Sequence, residues 1–362
     1  MADTLRREGT SSTLGAMSSV APPPTAASSL TRDRLDALLA AASRARVAIV
    51  GDAMLDVYLH GDVDRISPEA PVPVVRVRER RTALGGAANV AQNAVALGAH
   101  AELVCVVGRD ASGVELRRML SAIGADGRSV VEIDRATTTK TRVLARVQQV
   151  VRVDEEDDTD LAGGDAARLI AAARRAIDDA EALVLEDYNK GVLVPGLIED
   201  VISHARRRGI PVVVDPKYRN FFSYRGSTVF KPNRRELEAA LGAAVDLDHP
   251  EALPAALARL GVEHLLLTLG ERGMVLADRD GALHRIAATA REVYDVVGAG
   301  DTVTAYLAAM LAAGASAREA AEVANLAAGV EVGKLGAASV SAGEVREALA
   351  RKGDAAAARP RD

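Results

Sequence analysis

The chain has 362 residues, 45 Lys and Arg against 50 Asp and Glu for a net charge of −5, one cysteine and no tryptophan. A single cysteine excludes an internal disulfide and a cysteine-based zinc site, and mild acidity with only six Tyr and three Phe argues against nucleic acid as a partner. No apolar run reaches the ~18 residues of a membrane span, and a hydrophobic share of 49% is that of a globular chain with a core of Ala, Val and Leu, which suits α/β layers.

Residues 1–30 are rich in Ser, Ala, Thr and Pro, with Pro22, Pro23 and Pro24 in the middle. They offer too little apolar surface to offset the entropy of ordering, which predicts a disordered extension. Arg6 and Arg7 resemble the charged start of a secretory signal, but no continuous apolar stretch follows them. From residue 31 to 350 the chain reads as one body. Short β-branched runs at 47–52, 103–108, 183–187, 212–215 and 265–270 end in Gly or Asp and alternate with helical stretches such as 166–180 and 195–208. That rhythm predicts a mainly parallel sheet covered on both faces. Ligands of such sheets bind beyond the carboxyl ends of the strands, so Asp52, Asp187, Asp215, Asn233 and Thr268 are the first site candidates.

Two segments break the rhythm. Residues 57–82 carry Pro68, Pro71 and Pro73 around an alternating run, and 137–154 alternate as well. Period-2 alternation predicts half-exposed antiparallel strands, here pairing into one small sheet that forms a lid over the strand ends. The acidic run 154–160 reads as a solvated loop, Cys105 as an inert core thiol, and 351–362 as a disordered tail.

The strongest chemical motif is Asp295-Val296-Val297-Gly298-Ala299-Gly300-Asp301, which opens an apolar helical segment. Gly-Ala-Gly at a helix start lets backbone N–H groups approach an anion, and the helix dipole adds positive potential. A carboxylate beside that anion hole has a use as a general base, taking a proton from a hydroxyl as its oxygen attacks a phosphoryl group. The same residues also suit a glycine-rich turn with an N-cap aspartate, and the motif alone leaves both readings open.

From about residue 46 to 345 the chain resembles the PfkB/ribokinase family of carbohydrate kinases. The likeness rests on Gly85-Gly86-Ala87-Ala88-Asn89, on Asn233-Arg234-Arg235-Glu236 and on the 295–301 segment, in the family's order. It implies a ribokinase-like three-layer α/β sandwich with a mainly parallel sheet and a small β-sheet lid, and ATP and Mg²⁺ as cofactors. It implies Asp301 as catalytic base and Gly298, Ala299 and Gly300 as the anion hole. Asn233 and Glu236 would organise Mg²⁺, mainly through water; a solvated helix residue is the alternative for Glu236. Lys217 would meet a phosphate as a point charge, or lie on the surface as a loop lysine. Thr268, Gly270 and Gly273 resemble the family's nucleotide loop, and Asn325 suits either the nucleotide wall or helix packing. Val297 stands where many members have Thr, which removes a hydroxyl contact but leaves the backbone anion hole.

On the acceptor side, two carboxylates and an amide suit a polyol: Asp52 and Asp56 near the end of the first strand, and Asn89 one turn into the next helix. Gly85 and Gly86 would permit close approach. A turn or cap is the alternative for Asp56, and Asn93 reads as structural. Here the resemblance narrows to the heptose-7-phosphate kinase branch, on residues 51–56, 65–73, Lys140-Thr141-Arg142, Gln148-Gln149, 186–191 and 332–336. The branch implies ATP-dependent phosphorylation of C1 of D-glycero-β-D-manno-heptose 7-phosphate in the cytoplasm, for ADP-heptose and lipopolysaccharide core. A phosphorylated acceptor needs cations, and Arg65, Lys140, Arg142 and Lys190 are the candidates, each also readable as a solvated charge. Asp187 would hold a sugar hydroxyl or a water near Mg²⁺. No His-x-Gly-His motif follows residue 345, so a nucleotidyltransferase step is expected on another polypeptide. Unpaired lid edges, which family members commonly pair between subunits, imply a homodimer. The rival readings are a kinase for ribose, fructose or fructose 1-phosphate, and a non-catalytic sugar-binding regulator.

Overall fold

The computed structural model describes residues 30–146, 148–246, 252–290, 294–334 and 338–357. The expectation for residues 1–29 lies outside that set. In chain order the elements are α1 (Arg32–Ala42), β1 (Arg46–Gly51), β2 (Ala53–Ile66), β3 (Pro73–Gly86), α2 (Ala87–Leu97), β4 (His100–Gly108), α3 (Ala111–Ile123) and β5 (Val130–Ile133). Next come β6 (Thr139–Ala145), β7 (Gln148–Glu155), α4 (Gly163–Asp178), β8 (Ala182–Glu186), α5 (Pro195–Arg208), β9 (Val212–Asp215), β10 (Val229–Phe230) and α6 (Arg234–Leu241). The remainder are α7 (Ala252–Leu260), β11 (His264–Thr268), β12 (Met274–Asp278), β13 (Leu283–Ile286), α8 (Ala299–Ala312), α9 (Ala317–Glu331) and α10 (Ala342–Ala357). The last helix therefore runs past residue 351, where the sequence suggested that order ends.

Nine strands form one sheet in the order β13-β12-β11-β10-β9-β8-β1-β4-β5, parallel except for the β11–β12–β13 end. Alternate residues of β1 face opposite cores. Val47 and Ile49 pack with α1, α2, α8 and α9, while Ala48 and Val50 pack with α4 and α5. This is the α/β sandwich expected from continuous apolar strands alternating with helices. Among the described residues no helix is long and apolar enough to cross a membrane.

The two alternating segments form a separate four-stranded sheet, β3-β2-β6-β7. Its register puts Asp56 opposite Lys140 and Tyr58 opposite Arg142. β3 returns into the body at Gly85 and Gly86. Gly86 has φ 56°, and a Cβ there would lie 2.3 Å from the Asp52 carbonyl oxygen, so the turn from sheet into α2 requires glycine.

Candidate active site

β10, β9, β8 and β1 are neighbours in the sheet, and their carboxyl ends deliver Lys231, Asp215, Glu186 and Asp52 to one place. The chain leaves β1 towards the lid and β4 on one side and reaches β8 on the other, so this is the switch point at which open α/β sheets form their ligand crevice. The N-terminus of α8 abuts it. Gly298 caps that helix with φ 95°, and a Cβ on Gly300 would lie 3.7 Å from both Asp215 Oδ2 and Lys231 Nζ. The first N–H groups of a helix have no intrahelical acceptor, so they face the crevice as anion donors.

Asp301 lies in the first turn of α8 and is 5% exposed. Asn89 Nδ2 donates to its Oδ2 at 2.7 Å, and the Tyr188 hydroxyl donates to its Oδ1 at 2.8 Å. Asn93 Nδ2 donates to the Asn89 carbonyl oxygen and Thr302 Oγ1 to Asn93 Oδ1, so Asn93 is structural, joining α2 to α8. Burial pushes the Asp301 carboxyl up to about 6, against the lowering effect of its two donors. At neutral pH such a group is ionised yet close enough to its pKa to take a proton readily.

One carboxylate oxygen each from Glu186, Asp215 and Asp301 lie within 4.8 Å of one another. Lys231 Nζ sits 2.7 Å from Asp215 Oδ2. Burial works against that ammonium, but Asp215 and Glu186 more than offset it and its pKa is raised. Glu186 is fully buried with neither carboxylate oxygen hydrogen-bonded, and burial with the charges of Asp215 and Asp301 holds its pKa well above the usual carboxylate range. Orphaned buried oxygens in an all-carboxylate set fit a hard divalent cation.

The sequence pointed to Asn233 and Glu236 as organisers of the metal, mainly through water, and the structure gives both residues a further role. The two form a reciprocal capping box at the start of α6, and Lys217 Nζ donates to Glu236 Oε1 at 2.5 Å. The Asn233 amide oxygen accepts from the Glu236 N–H, and the Glu236 carboxylate accepts from the Asn233 N–H as well as from Lys217. Thr268 bridges to Asn233 across adjacent chain segments, so Lys217, Asn233, Glu236 and Thr268 do share one side of the crevice. Gly270 and Gly273 flank a short turn after β11. A Cβ on Gly273 would overlap the Ile286 carbonyl oxygen at 2.0 Å, a structural demand. Asn325 is buried and donates to the Ala287 carbonyl oxygen at 2.9 Å, the packing role of its two readings.

On the lid side Asp52 departs from expectation. Its carboxylate accepts from the N–H groups of Tyr188, Lys190 and Val192 at 2.7, 3.0 and 3.3 Å. It fastens the loop after β8 instead of facing a sugar, and burial pushes it up to about 6. Asp187 is likewise occupied, accepting from the Tyr224 hydroxyl and the Asn189 N–H, both at 2.7 Å. Asp56 pairs with Arg142, and Lys190 with Glu156 at 2.8 Å. Gly85 makes room for this arrangement, since a Cβ there would lie 2.6 Å from Asp56 Oδ2. Lys140 Nζ stands 5.3 Å from the Tyr188 ring centroid, with its pKa lowered by burial. Arg65 is exposed near the outer end of β2, nine residues and roughly 30 Å along the strand from Asp56, and is not brought to the cluster.

Sequence reasoning missed Tyr188 and Lys231 and gave Glu186 no role. Lys231, two residues before Asn233 at the end of a short apolar run, carried the signal of a strand-end lysine. Tyr188 carried none beyond its place in the 186–191 motif.

A model of the pfkB family carbohydrate kinases matches residues 44–342. The bifunctional protein HldE of Rhodospirillum rubrum is 45% identical over 315 residues, 86% of this chain and 64% of that protein. HldE of Caulobacter vibrioides is 47% identical over 303 residues, 83% of this chain and 62% of that protein. The chain thus spans just under two thirds of the length of these curated relatives. Among solved structures, Arabidopsis thaliana ribokinase complexed with ribose and ATP superposes with a TM-score of 0.69 at 21% identity, covering 84% of this chain and 99% of that one. Escherichia coli phosphofructokinase-2 in complex with potassium gives 0.69 at 19% identity, covering 85% and 99%. At these identities the likeness establishes the ribokinase-like fold.

Proposed function

This chain belongs to the pfkB family of carbohydrate kinases, and on that premise we propose that it transfers the γ-phosphoryl group of ATP to C1 of D-glycero-β-D-manno-heptose 7-phosphate. The product, a 1,7-bisphosphate, would serve ADP-heptose and lipopolysaccharide core synthesis in the cytoplasm. The observation that carries the reading is Asp301: buried, raised to about 6, fixed through both oxygens and set in the first turn of the helix whose N-terminus faces the crevice. The acceptor oxygen forms its bond to the γ-phosphorus as the bond to the β-phosphate oxygen breaks, and the hydroxyl proton passes to Asp301. The N–H groups of 298–300 stabilise the charge that develops on the phosphoryl oxygens.

Glu186 and Asp215 are the groups suited to hold Mg²⁺, directly or through its water, and the ion would neutralise phosphate charge. The heptose 7-phosphate assignment is supported by the branch motifs and by relatives named HldE. Among the described residues no carboxylate lies within ion-pair distance of Lys140, which makes it the acceptor-side cation best placed to meet a second phosphate. Closure of the lid excludes water and limits idle ATP hydrolysis. The lid's outer face carries Val151 and Val153, 47% and 48% exposed, which supports pairing of two lids in a homodimer.

The test is an ATP-consumption assay with heptose 7-phosphate, ribose, fructose and fructose 1-phosphate. Turnover greatest with heptose 7-phosphate is expected. Turnover with a pentose and none with the heptose would overturn the acceptor assignment, and equal rates for wild type and Asp301→Asn would remove the proposed base.

A further inference from the structure

A carboxylate on a short side chain turns easily about its terminal torsion. At Asp301 that rotation is blocked from two sides, by Asn89 on Oδ2 and by Tyr188 on Oδ1. Each oxygen keeps a second lone pair for an incoming hydroxyl. The tyrosine is itself fixed. Its N–H donates to Asp52, the preceding Asp187 is held by Tyr224, and the following Asn189 has φ 55°, with its N–H on Asp187 and its Oδ1 accepting from the Arg219 N–H. A non-glycine residue held at positive φ marks a loop whose shape is imposed by its surroundings. The ring is flanked by two ammonium groups, Lys140 of the lid at 5.3 Å and Lys217 of the nucleotide side at 5.4 Å from its centroid.

We propose that Tyr188 is a positioning residue whose hydroxyl locks the Asp301 carboxylate in its reactive orientation and whose ring holds Lys140 and Lys217 on either substrate's side of that base. The proposal rests on the reading of Asp301 as proton acceptor. The hydroxyl acts on the proton-transfer step alone, because it touches the base and no group assigned to either substrate. The ring acts on substrate binding, because the two lysines it flanks stand one on the lid side and one on the nucleotide side.

Two variants separate these contributions. Tyr188→Phe keeps the ring and removes the hydroxyl; Tyr188→Leu removes both. With any acceptor that wild type turns over, Tyr188→Phe is expected to lower kcat about tenfold, the worth of one good hydrogen bond, with both KM values within about twofold of wild type. Tyr188→Leu adds a rise in acceptor KM. In single-turnover assays Tyr188→Phe should cost nothing further in an Asp301→Asn background, since a group acting through the base has nothing left to position. The proposal is overturned if Tyr188→Phe leaves kcat unchanged, if its loss is the same in both backgrounds, or if kcat and Tm fall together. A wild type active on another sugar but not on heptose 7-phosphate would sink only the acceptor assignment, since the Tyr188 comparison runs on any accepted sugar. A wild type with no turnover on any acceptor would sink both.

Discussion

Asn89 Nδ2 donates to Asp301 Oδ2 at 2.7 Å across 212 positions of sequence, joining the helix that follows the Gly85-Gly86 pair to the helix that follows Gly-Ala-Gly. Two motifs far apart in the chain thus meet as one hydrogen bond on the Asp301 carboxylate.

That bond tempers the pH dependence expected of the proposed reaction. As a proton acceptor Asp301 would have to be ionised, and its carboxyl is raised by burial to about 6 while Asn89 and Tyr188 pull it down. kcat/KM should therefore fall as pH drops through about 6. Asn89→Ala removes a stabiliser of the charged form, so the acidic limb should move to higher pH. Profiles from about pH 5 to 9 check this; a limb that stays in place in the variant counts against Asp301 as the titrating group.

The same shift has a consequence for stability. A carboxyl whose folded pKa lies above its unfolded value of 3.8 binds more protons folded than unfolded between about 4 and 6. Stability from this group is therefore gained as pH falls through that window, and ionised Asp301 opposes folding at neutral pH. Asp301→Asn keeps the shape, removes the charge and can still accept from Asn89. Activity should drop by roughly 10²–10⁴-fold while Tm at pH 8 equals or exceeds that of wild type. Thermal unfolding alongside the assay gives the result, and a variant that is both inactive and clearly less stable contradicts it.

Glu186 extends the argument to the metal. Its carboxylate is fully buried without a hydrogen-bond partner and faces Asp215 and Asp301. Mg²⁺ bound to the folded state alone stabilises it by mass action. In wild type Tm should rise from EDTA to millimolar Mg²⁺, and in Glu186→Gln that rise should shrink while Tm in EDTA stays level or increases. An identical Mg²⁺ response in both proteins would show that Glu186 has no part in holding the ion.

Gly85 permits a sharp test on the acceptor side. A Cβ there would lie 2.6 Å from Asp56 Oδ2 and 2.9 Å from Met54 Cγ, and Asp56 is held by Arg142. Gly85→Ala should push the carboxylate off its partner and raise acceptor KM about tenfold, leaving ATP KM unchanged. Steady-state kinetics in each substrate separate the two.

The layers were legible because continuous apolar strands alternating with helices admit few arrangements, and the two period-2 segments stood out against them. Asp301 stood out because a carboxylate follows a glycine-rich helix start, but the motif alone suited a capped turn as well as a base, and only the resemblance to a kinase family separated the two. What the sequence hid was pairing. Asp52 reads as a sugar ligand until three N–H groups of the 188–192 loop are found on it. Glu236 shares its carboxylate between the α6 cap and Lys217, a pairing the sequence did not show. A strand-end carboxylate looks the same in sequence whether it faces ligand or backbone, and only the fold shows which donors reach it.

The lid gives the last prediction. Its inner face carries Asp56, Lys140, Arg142 and Asp154, which register places side by side. By alternation, Leu59, Val143, Val151 and Val153 share the other face, and the two β7 valines are about half exposed. An apolar sheet face with open edges favours association with a second such face. Wild type should sediment as a dimer. Val151→Asp with Val153→Asp should sediment as a monomer with its Tm largely retained, because neither valine is part of the core of the body. Sedimentation velocity on both proteins decides the matter, and a wild type that stays monomeric at tens of micromolar removes the lid as the subunit interface.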